Sequence, residues 1–358
     1  MSYQVDYVEF YITNICNFDC RGCNRFNNYN FRGHQLWSDY QYQYQAWSKL
    51  LDIKRIGILG GEPMVNPTYL DWLAGVHQLW PTADIIFLTN GSMLRADNQR
   101  LYNIISGSRG RIKLNIGLHD IDRRDSVTAV VREWLHGDIT ETDQPAEMYE
   151  TDYFSEQRWK ESYQAVRDPG WPDCATVDEW ANLPQHIQQE CEQQHGLSPK
   201  QFASPALIER SRRSTRLQDS NGVTVEISNE DYFHQGALIP DHDNGVFRLH
   251  QSDVTRAHAI CHSKYCHHFA NGRLYKCGPA ALFPELAEQF DFELTDQQQN
   301  LVHGYLGAEP TWDQSRLARF FDNLRNPIDQ CSLCPEHYEF QTIKSQVRKV
   351  HFQRRTKQ

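Results

Sequence analysis

The sequence predicts an α/β fold with a parallel sheet, and three observations support this class. Short apolar runs that close on turn residues recur through the first third of the chain, as buried strands do. Helical stretches separate these runs at the spacing of strand–helix–strand units, whose crossovers are right-handed. The chain of 358 residues is long enough for one large domain and a smaller one, with a substantial buried core.

Each element follows from a local pattern. Alternation of apolar and polar residues predicts strands, and longer mixed stretches between them predict helices. The first elements in order are a strand over 8–13, a helix over 37–53, a strand over 55–59, a helix over 69–79, and strands over 84–89 and 111–120. The later elements are a short helix over 184–194, strands over 222–228 and 245–249 that complete the sheet, a β-hairpin over 269–277 and a helix over 313–324.

Composition limits the function classes. A hydrophobic content of 39% and a mean hydropathy of -0.69 fit a soluble protein with many polar loops. No apolar run approaches the length that spans a bilayer, and the first residues do not form a signal peptide, so we expect a cytoplasmic protein without a membrane partner. The net charge of -10 argues against an extended nucleic-acid surface. The chain has 10 cysteines, and because the cytosol keeps thiols reduced, those that cluster are expected to be metal ligands rather than disulfides.

The most informative stretch is a loop of three cysteines directly after the first strand. Cys16, Cys20 and Cys23 have C-x3-C-x2-C spacing, and they stand at the carboxyl end of that strand, where active-site loops of α/β barrels gather. Three thiolates can hold three irons of a cubane cluster and leave the fourth iron open to a substrate or cofactor. The alternative is a zinc site, which would need a fourth ligand such as His34.

This loop resembles the signature of the radical SAM superfamily. The resemblance implies a partial (β/α)6 barrel, a [4Fe–4S] cluster with an open iron site, and S-adenosylmethionine (SAM) as the second cofactor. It also implies an enzyme that cleaves SAM reductively to a 5'-deoxyadenosyl radical, which removes hydrogen from a substrate held in the barrel. An electron donor such as flavodoxin or ferredoxin would then be a partner.

A second motif, Gly60-Gly61-Glu62-Pro63, closes the second strand. Two glycines let the backbone approach a ligand closely, although the tetrapeptide alone could be an ordinary turn between strand and loop. The resemblance implies that Gly60, Gly61 and Glu62 bind the amino group of the SAM methionine, with Pro63 part of the same site.

Polar residues at the ends of the third and fourth strands are further candidates. The resemblance places Asn90, in Thr89-Asn90-Gly91, beside SAM, although an ordinary turn explains it as well. Asn115 is the candidate for a contact with the SAM carboxylate or ribose, and His119 could face the substrate. Either residue could instead be a satisfied core or rim side chain.

A second group of cysteines lies near the other end of the chain. The Asn271-Gly272 turn predicts a hairpin whose second strand delivers a cysteine, and a C-x2-C pair returns after a helix. Four thiolates would make a closed site, structural or electron-transferring. The alternatives are a zinc ribbon or mixed Cys/His ligation. The candidate ligands are Cys261, Cys266, Cys277, Cys331 and Cys334, with His258, His262, His267 and His268 nearby.

This arrangement resembles the auxiliary-cluster domains called SPASM and twitch. Cys261, Gly272 and Cys277 fit their opening pattern of cysteine, glycine and cysteine. Because no cysteine follows Cys334, the resemblance implies one auxiliary [4Fe–4S] cluster, with zinc as the alternative. Cys266 is surplus to four ligands and competes with Cys261, which the spacing favours.

These patterns divide the chain into five parts. Cys174 and Cys191, in the second part, are expected to be buried apolar contacts. The basic last part could touch an anionic substrate or nucleic acid, or be a solvated helix end. The parts are the first portion of the barrel (1–122), an insertion that serves as a lid or substrate-docking element (123–216), the rest of the barrel (217–254), the auxiliary-cluster domain (255–340) and a basic tail (341–358).

The resemblance favours a peptide or protein substrate, because such C-terminal domains are common among peptide-modifying members. The same chemistry on a carbohydrate or nucleotide is the first alternative. A non-enzymatic iron–sulfur or zinc protein that binds a partner through its insertion is the second. The Gly-Gly-Glu-Pro motif argues against the latter, since a pure binding protein has no need of a SAM-binding carboxylate.

Overall fold

A computed structural model describes most of the two ends of the chain. No helix in the described residues is long and apolar enough to cross a membrane. Cys174, Cys191, His262, most of the predicted helix over 184–194 and residues 343–358 of the basic tail lie outside the described residues. The described residues are 2–18, 20, 23, 25–27, 31–119, 121–145, 184–186, 189, 213–229, 232–234, 238–241, 246–261, 265–290, 292, 294–336 and 340–342.

Strands and helices alternate through the first part of the described chain. One helix begins after Asn98, whose side chain caps it by accepting a hydrogen bond from the Leu101 amide. The elements are β1 (Tyr3–Tyr11), α1 (Trp37–Ser48), β2 (Leu51–Leu59), α2 (Tyr69–Leu79), β3 (Asp84–Thr89), α3 (Gln99–Gly107), β4 (Ile112–Leu118), α4 (Arg124–Trp134) and β5 (Ile139–Pro145).

The second part contains short strands, a hairpin and four helices among the described residues. Asn271 and Gly272 have positive φ angles of 50° and 73°, so they form the hairpin turn that their sequence predicts. The elements are β6 (Arg213–Asp219), β7 (Thr224–Asn229), β8 (Tyr232–His234), β9 (Leu238–Asp241), β10 (Val246–Leu249), α5 (Val254–Ile260), β11 (His267–Ala270), β12 (Arg273–Tyr275), α6 (Gly278–Gln289), α7 (Asp296–His303), α8 (Gln314–Asp322) and β13 (Phe340–Thr342).

One large sheet organises the described residues, in the strand order β12-β11-β1-β2-β3-β4-β7-β6-β5. Every neighbouring pair from β11 to β7 is parallel, which confirms the predicted α/β class with a parallel sheet. Antiparallel strands extend both ends of this parallel core, with β12 beside β11 and β6 and β5 beyond β7. The carboxyl ends of β1 to β4 therefore lie at one edge of the sheet, where the two N-terminal motifs meet.

The first strand begins at Tyr3, earlier than predicted, and two later elements differ more. Helix α1 ends at Ser48 and β2 begins at Leu51, because Leu51 and Ile53 alternate with two charged residues and bury their side chains in the sheet. Strand β10, expected to complete the barrel, pairs antiparallel with β9 in a separate two-stranded sheet. The strand that follows β4 in the parallel order is β7.

Alternation along β1 gives the sheet two different faces. The side chains of Val8, Phe10 and Ile12 face helices α1 and α2 and belong to the main hydrophobic core. Phe10 lies at the centre of an aromatic group, with ring centroids 5.1 Å from Tyr44 and 4.8 Å from Phe269. The opposite face, called the inner face from here on, carries Tyr7, Glu9 and Tyr11. Helix α6 packs against this face.

We predict that Gly75→Ala destabilises the fold. A Cβ at Gly75 of α2 would lie 2.1 Å from the indole ring of Trp37. That ring cannot move aside easily, because it is stacked on Tyr44 and packs edge-on against Trp72. Overpacking of this kind costs about 1–3 kcal/mol, which exceeds the helix propensity gained by alanine. Urea unfolding measures the loss, and Gly107→Ala, with no atom within 4 Å of the added Cβ, is the control that should unfold at the wild-type midpoint or above it.

Candidate functional site

The three-cysteine loop leaves β1 and is paired at once with the end of β2. The amide of Gly61 donates to the carbonyl of Thr13 at 2.8 Å, and the amide of Glu62 donates to the carbonyl of Ile15 at 2.9 Å. Beyond this pairing Cys16, Cys20 and Cys23 are all half-buried. Backbone hydrogen bonds therefore hold the cysteine loop and the Gly60-Gly61-Glu62 motif against each other.

The double glycine is required by this close approach. A Cβ at Gly60 would lie 2.6 Å from the carbonyl oxygen of Thr13, and one at Gly61 would lie 2.2 Å from the carbonyl oxygen of Ile15. The second is also 2.8 Å from the amide nitrogen of Cys16. All of these are backbone atoms, so any side chain here would push the cysteine loop away. Close backbone contact therefore explains both glycines without a ligand.

Glu62 is fully buried, and its carboxylate is engaged within the chain. One oxygen accepts from the amide of Met64 at 3.0 Å and from the hydroxyl of Thr89 at 2.7 Å, and the other accepts from the amide of Asn90 at 2.8 Å. Burial raises the pKa of this carboxyl, although the three donors oppose that shift. Pro63 is the first residue of a 3-10 turn, Pro63–Val65, that Glu62 caps.

Asn90 contacts the cysteine loop directly. Its side-chain amide donates to Asn17 at 2.9 Å and lies 3.9 Å from the sulfur of Cys16, which also accepts from the amide of Phe18 at 3.4 Å. N–H groups directed at a cysteine sulfur suit the thiolate ligand of an iron–sulfur cluster, whose potential such hydrogen bonds tune. The donor set around the loop therefore fits the cluster that the sequence predicts.

Asn115 lies on the inner face of the sheet. It is opposite Glu226 in the register of β4 and β7, and its amide nitrogen is 3.4 Å from the Glu226 carboxylate. Glu226 also pairs with Arg216 of β6 at 2.8 Å. A row of three polar side chains thus crosses the inner face, and His119 follows directly after β4 at half-buried exposure.

Four of the five C-terminal cysteines share one pocket, formed by α5, the start of α6, α7 and the 3-10 turn Asp329–Leu333. Burial and the neighbouring thiols of Cys261 and Cys331 raise the pKa of Cys277 to about 12. Burial and Cys261 likewise raise the pKa of Cys334. Apolar residues make up much of the rest of the wall. The pocket is lined by Cys261, Cys277, Cys331 and Cys334 together with Ala257, Lys276, Pro279, Ala280, Phe283, Leu301, Val302, Ile328, Gln330 and Leu333.

Cys266 is not part of this pocket. Its thiol interacts instead with Glu9, and it lies near Tyr7 and Arg25 on the inner face of the sheet. The nearby histidines that the structure describes on β11 also have other partners. Nδ1 of His267 is 2.9 Å from the carbonyl of Lys276, and His268 lies beside Glu9.

His34, the proposed fourth ligand of a zinc site at the first loop, is held by the loop itself. Its Nδ1 is 2.8 Å from the hydroxyl of Thr13, which it joins across a β-bridge. Across the described ranges, no three His, Cys, Asp or Glu side chains converge on a point where one metal ion would bind.

The sequence analysis missed a buried polar group beside the first loop. Glu9 of β1, Arg25 and His268 of β11 contact one another, with side chains 10%, 16% and 0% exposed. Burial would raise the pKa of Glu9, but Arg25 and the hydrogen bond from His268 outweigh it and hold that pKa at about 2. Burial lowers the pKa of His268 to about 4. The charged Glu9 within the apolar run Val8–Ile12 is the one local sign of a buried partner, and it does not say which residues the partners are.

Comparison with known proteins supports the interpretation of the N-terminal half. Residues 8–107 match the family described as a 4Fe-4S single cluster domain. Within residues 8–107, the cysteine spacing, its position after β1 and this match together support a [4Fe–4S] site of the radical SAM type.

The relatives are similar over part of their length only. A GTP 3',8-cyclase of Campylobacter fetus subsp. fetus is 29% identical over 121 residues, which are 33% of this chain and 36% of that protein. A GTP 3',8-cyclase of Nostoc punctiforme is 29% identical over 129 residues, with the same two shares. The chain thus matches about a third of the length of these relatives.

Two solved structures also resemble the chain. Streptococcus suis SuiB bound to S-adenosylmethionine is 12% identical with a TM-score of 0.39, covering 90% of this chain and 68% of that one. BtrN in complex with AdoMet and 2-DOIA is 22% identical with a TM-score of 0.28, covering 33% of this chain and 47% of that one.

We predict that Gly61→Ala prevents the three-cysteine loop from holding its cluster. The added Cβ would meet the backbone of Ile15 and Cys16 and break the pairing between the loop and β2. After anaerobic reconstitution, the variant should lose about four irons per chain, one cubane's complement, while circular dichroism remains that of a folded protein. Gly107→Ala should load like the wild type. Full iron content in Gly61→Ala would show that the loop tolerates the displacement.

Proposed function

We propose that this chain is a radical SAM enzyme that cleaves SAM reductively and abstracts hydrogen from a substrate held against the inner face of the sheet. The observation that carries the proposal is the pairing of the three-cysteine loop with Gly60-Gly61-Glu62 at the carboxyl ends of parallel strands. When bound, the cluster would supply the electron that cleaves SAM. An electron donor such as flavodoxin or ferredoxin would reduce it.

The chain's own residues would hold and shape this site. Cys16, Cys20 and Cys23 would ligate three irons, and Asn90 would stabilise the Cys16 sulfur. The Glu62 carboxylate already accepts three hydrogen bonds within the chain. The backbone at Gly60 and Gly61 would therefore bind the amino group of SAM. Asn115 remains the candidate on β4 for the SAM carboxylate or ribose.

We further propose that Cys261, Cys277, Cys331 and Cys334 hold one auxiliary [4Fe–4S] cluster. The four thiols share an apolar pocket, and the α6 helix begins directly after Cys277. Buried Lys276 also lines this pocket, and its positive charge would offset part of the negative charge of a tetrathiolate cluster. Four thiols lining one pocket are the donor set of a closed tetrathiolate site, for which zinc is the alternative occupant.

A peptide or protein remains the first proposal for the substrate, supported by the likeness of the C-terminal cysteine pattern to twitch and SPASM domains. A nucleotide or carbohydrate is the alternative, and the partial similarity to enzymes named for GTP favours the nucleotide of these two. A non-enzymatic iron–sulfur or zinc protein is the second alternative, and it differs from the enzyme in that it would not cleave SAM. Binding of nucleic acid by the basic tail is a further possibility that the charge pattern alone supports.

The test of the enzyme proposal is reconstitution of the full chain under anaerobic conditions with iron, sulfide and then SAM plus dithionite. We expect about eight irons per chain and formation of 5'-deoxyadenosine, which Cys16→Ala should abolish. Circular dichroism should show that the variant still folds. Zinc alone, without cleavage of SAM, would overturn the proposal and favour a binding protein.

A paired substitution tests the auxiliary site. Cys261→Ala should remove about four irons per chain, because one ligand of a closed site is lost. Cys266→Ala should keep them, because its thiol lies on the inner face and not in the four-cysteine pocket. Both variants are measured by iron and sulfide content after reconstitution. Equal losses from the two variants would place Cys266 among the ligands.

A further inference from the structure

Arg25 lies between the two cysteine groups. In sequence it follows Cys23 by two residues, and in space its guanidinium lies against Gly278, the residue directly after Cys277. A Cβ at Gly278 would be only 2.1 Å from Nη1 of Arg25. The side chain therefore fills the place that any larger residue at 278 would occupy.

Two further residues fix the guanidinium in this position. Nη2 of Arg25 forms an ion pair with Glu9 of β1, and Nη1 lies 3.4 Å from Nε2 of His268 on β11. Nδ1 of His268 is in turn 3.1 Å from the Glu9 carboxylate, which closes a ring of three contacts. The planar fork of arginine suits two such partners at once, whereas a lysine ammonium is a single point charge.

The rest of the loop rests on the same helix. Asn14 donates to Glu285 of α6 at 2.9 Å, the amide of Arg32 donates to Gln289 at 3.2 Å, and the ring of Phe26 lies 5.8 Å from that of Phe283. All three partners belong to α6, whose first residue is Gly278 and whose N-cap is Cys277. Both flanks of the three-cysteine loop are thus docked on the helix that starts at the second cysteine site.

A buried ion pair such as Arg25–Glu9 is weak evidence for stability alone, because desolvation cancels much of its gain. Its position gives it a different use. We propose that Arg25 is a positioning residue that couples the two cysteine sites. Its contacts fix the position of the loop that carries Cys23 relative to Cys277 and the start of α6. The proposal rests on the proposed function in one respect, that the first loop binds a cluster and SAM.

The first experiment needs neither cluster nor SAM. Hydrogen exchange followed by mass spectrometry on the metal-free full chain measures opening of the segment 13–27. Arg25→Met and Gly278→Ala should each increase exchange of its slowest amides on the order of tenfold, while peptides of α2 and β3 stay at the wild-type rate. Gly107→Ala is the matched control, since its Cβ would touch nothing within 4 Å. Unchanged exchange in both test variants would overturn the proposal.

The second experiment is a double-mutant cycle on the reconstituted protein, read by SAM affinity. Each single substitution should weaken SAM binding on the order of tenfold, and the double variant should be no weaker than either one, because both remove the same contact. Compared with Arg25→Met, Arg25→Lys should restore only part of the SAM affinity, because lysine supplies the positive charge but not the planar guanidinium. Independent effects that multiply to about a hundredfold would show that no coupling passes through this contact.

The two proposals fail in different ways. Wild-type protein that loads no iron at the first loop, or does not bind SAM, contradicts the proposed function, while the exchange experiment still decides the role of Arg25. Wild-type protein that binds SAM, with Gly278→Ala affecting neither exchange nor affinity, contradicts the coupling alone.

Discussion

The site depends on one short stretch of backbone pairing, where residues 13–15 of the cysteine loop meet residues 60–62 at the end of β2. It brings the loop so close to the neighbouring chain that neither Gly60 nor Gly61 can carry a Cβ. Glu62 then turns inward and ties the ends of β2 and β3 together through Thr89 and Asn90. The position of the cysteines is therefore fixed by the ends of β1, β2 and β3 rather than by their own short loop.

This arrangement gives Glu62 a structural task that does not depend on SAM. Its carboxylate is fully buried, and burying a charge without partners would be costly, so the three donors are what make the position tolerable. One of them is the amide of Asn90, the residue whose side chain contacts Cys16. A change at Glu62 would consequently disturb the cysteine loop through Asn90 even if SAM never touched the carboxylate.

How much could be predicted from the sequence depended on the range of the interactions. Local alternation was enough for the parallel strands, and motif spacing was enough for the two cysteine groups. The start of β2 was misjudged because Leu51 and Ile53 follow a helix without a turn signal. The group of Glu9, Arg25 and His268 was out of reach, since Arg25 and His268 are 243 positions apart and nothing local indicates that they meet. The same limit left Cys261 and Cys266 in competition until the fold separated them.

The pairing of β11 with β1 determines which part of the inner face is covered by the C-terminal helices. It places the last third of the chain beside the first strand, so that α6 covers the inner face where Tyr11 and Phe26 lie. Farther along the sheet, at β4, β7 and β6, the same face carries Asn115, Glu226 and Arg216, whose polar groups partly satisfy one another. The inner face is therefore divided between β1, which packs against the cysteine loop and α6, and β4, β7 and β6, which carry the polar row that includes Asn115, the proposed SAM contact.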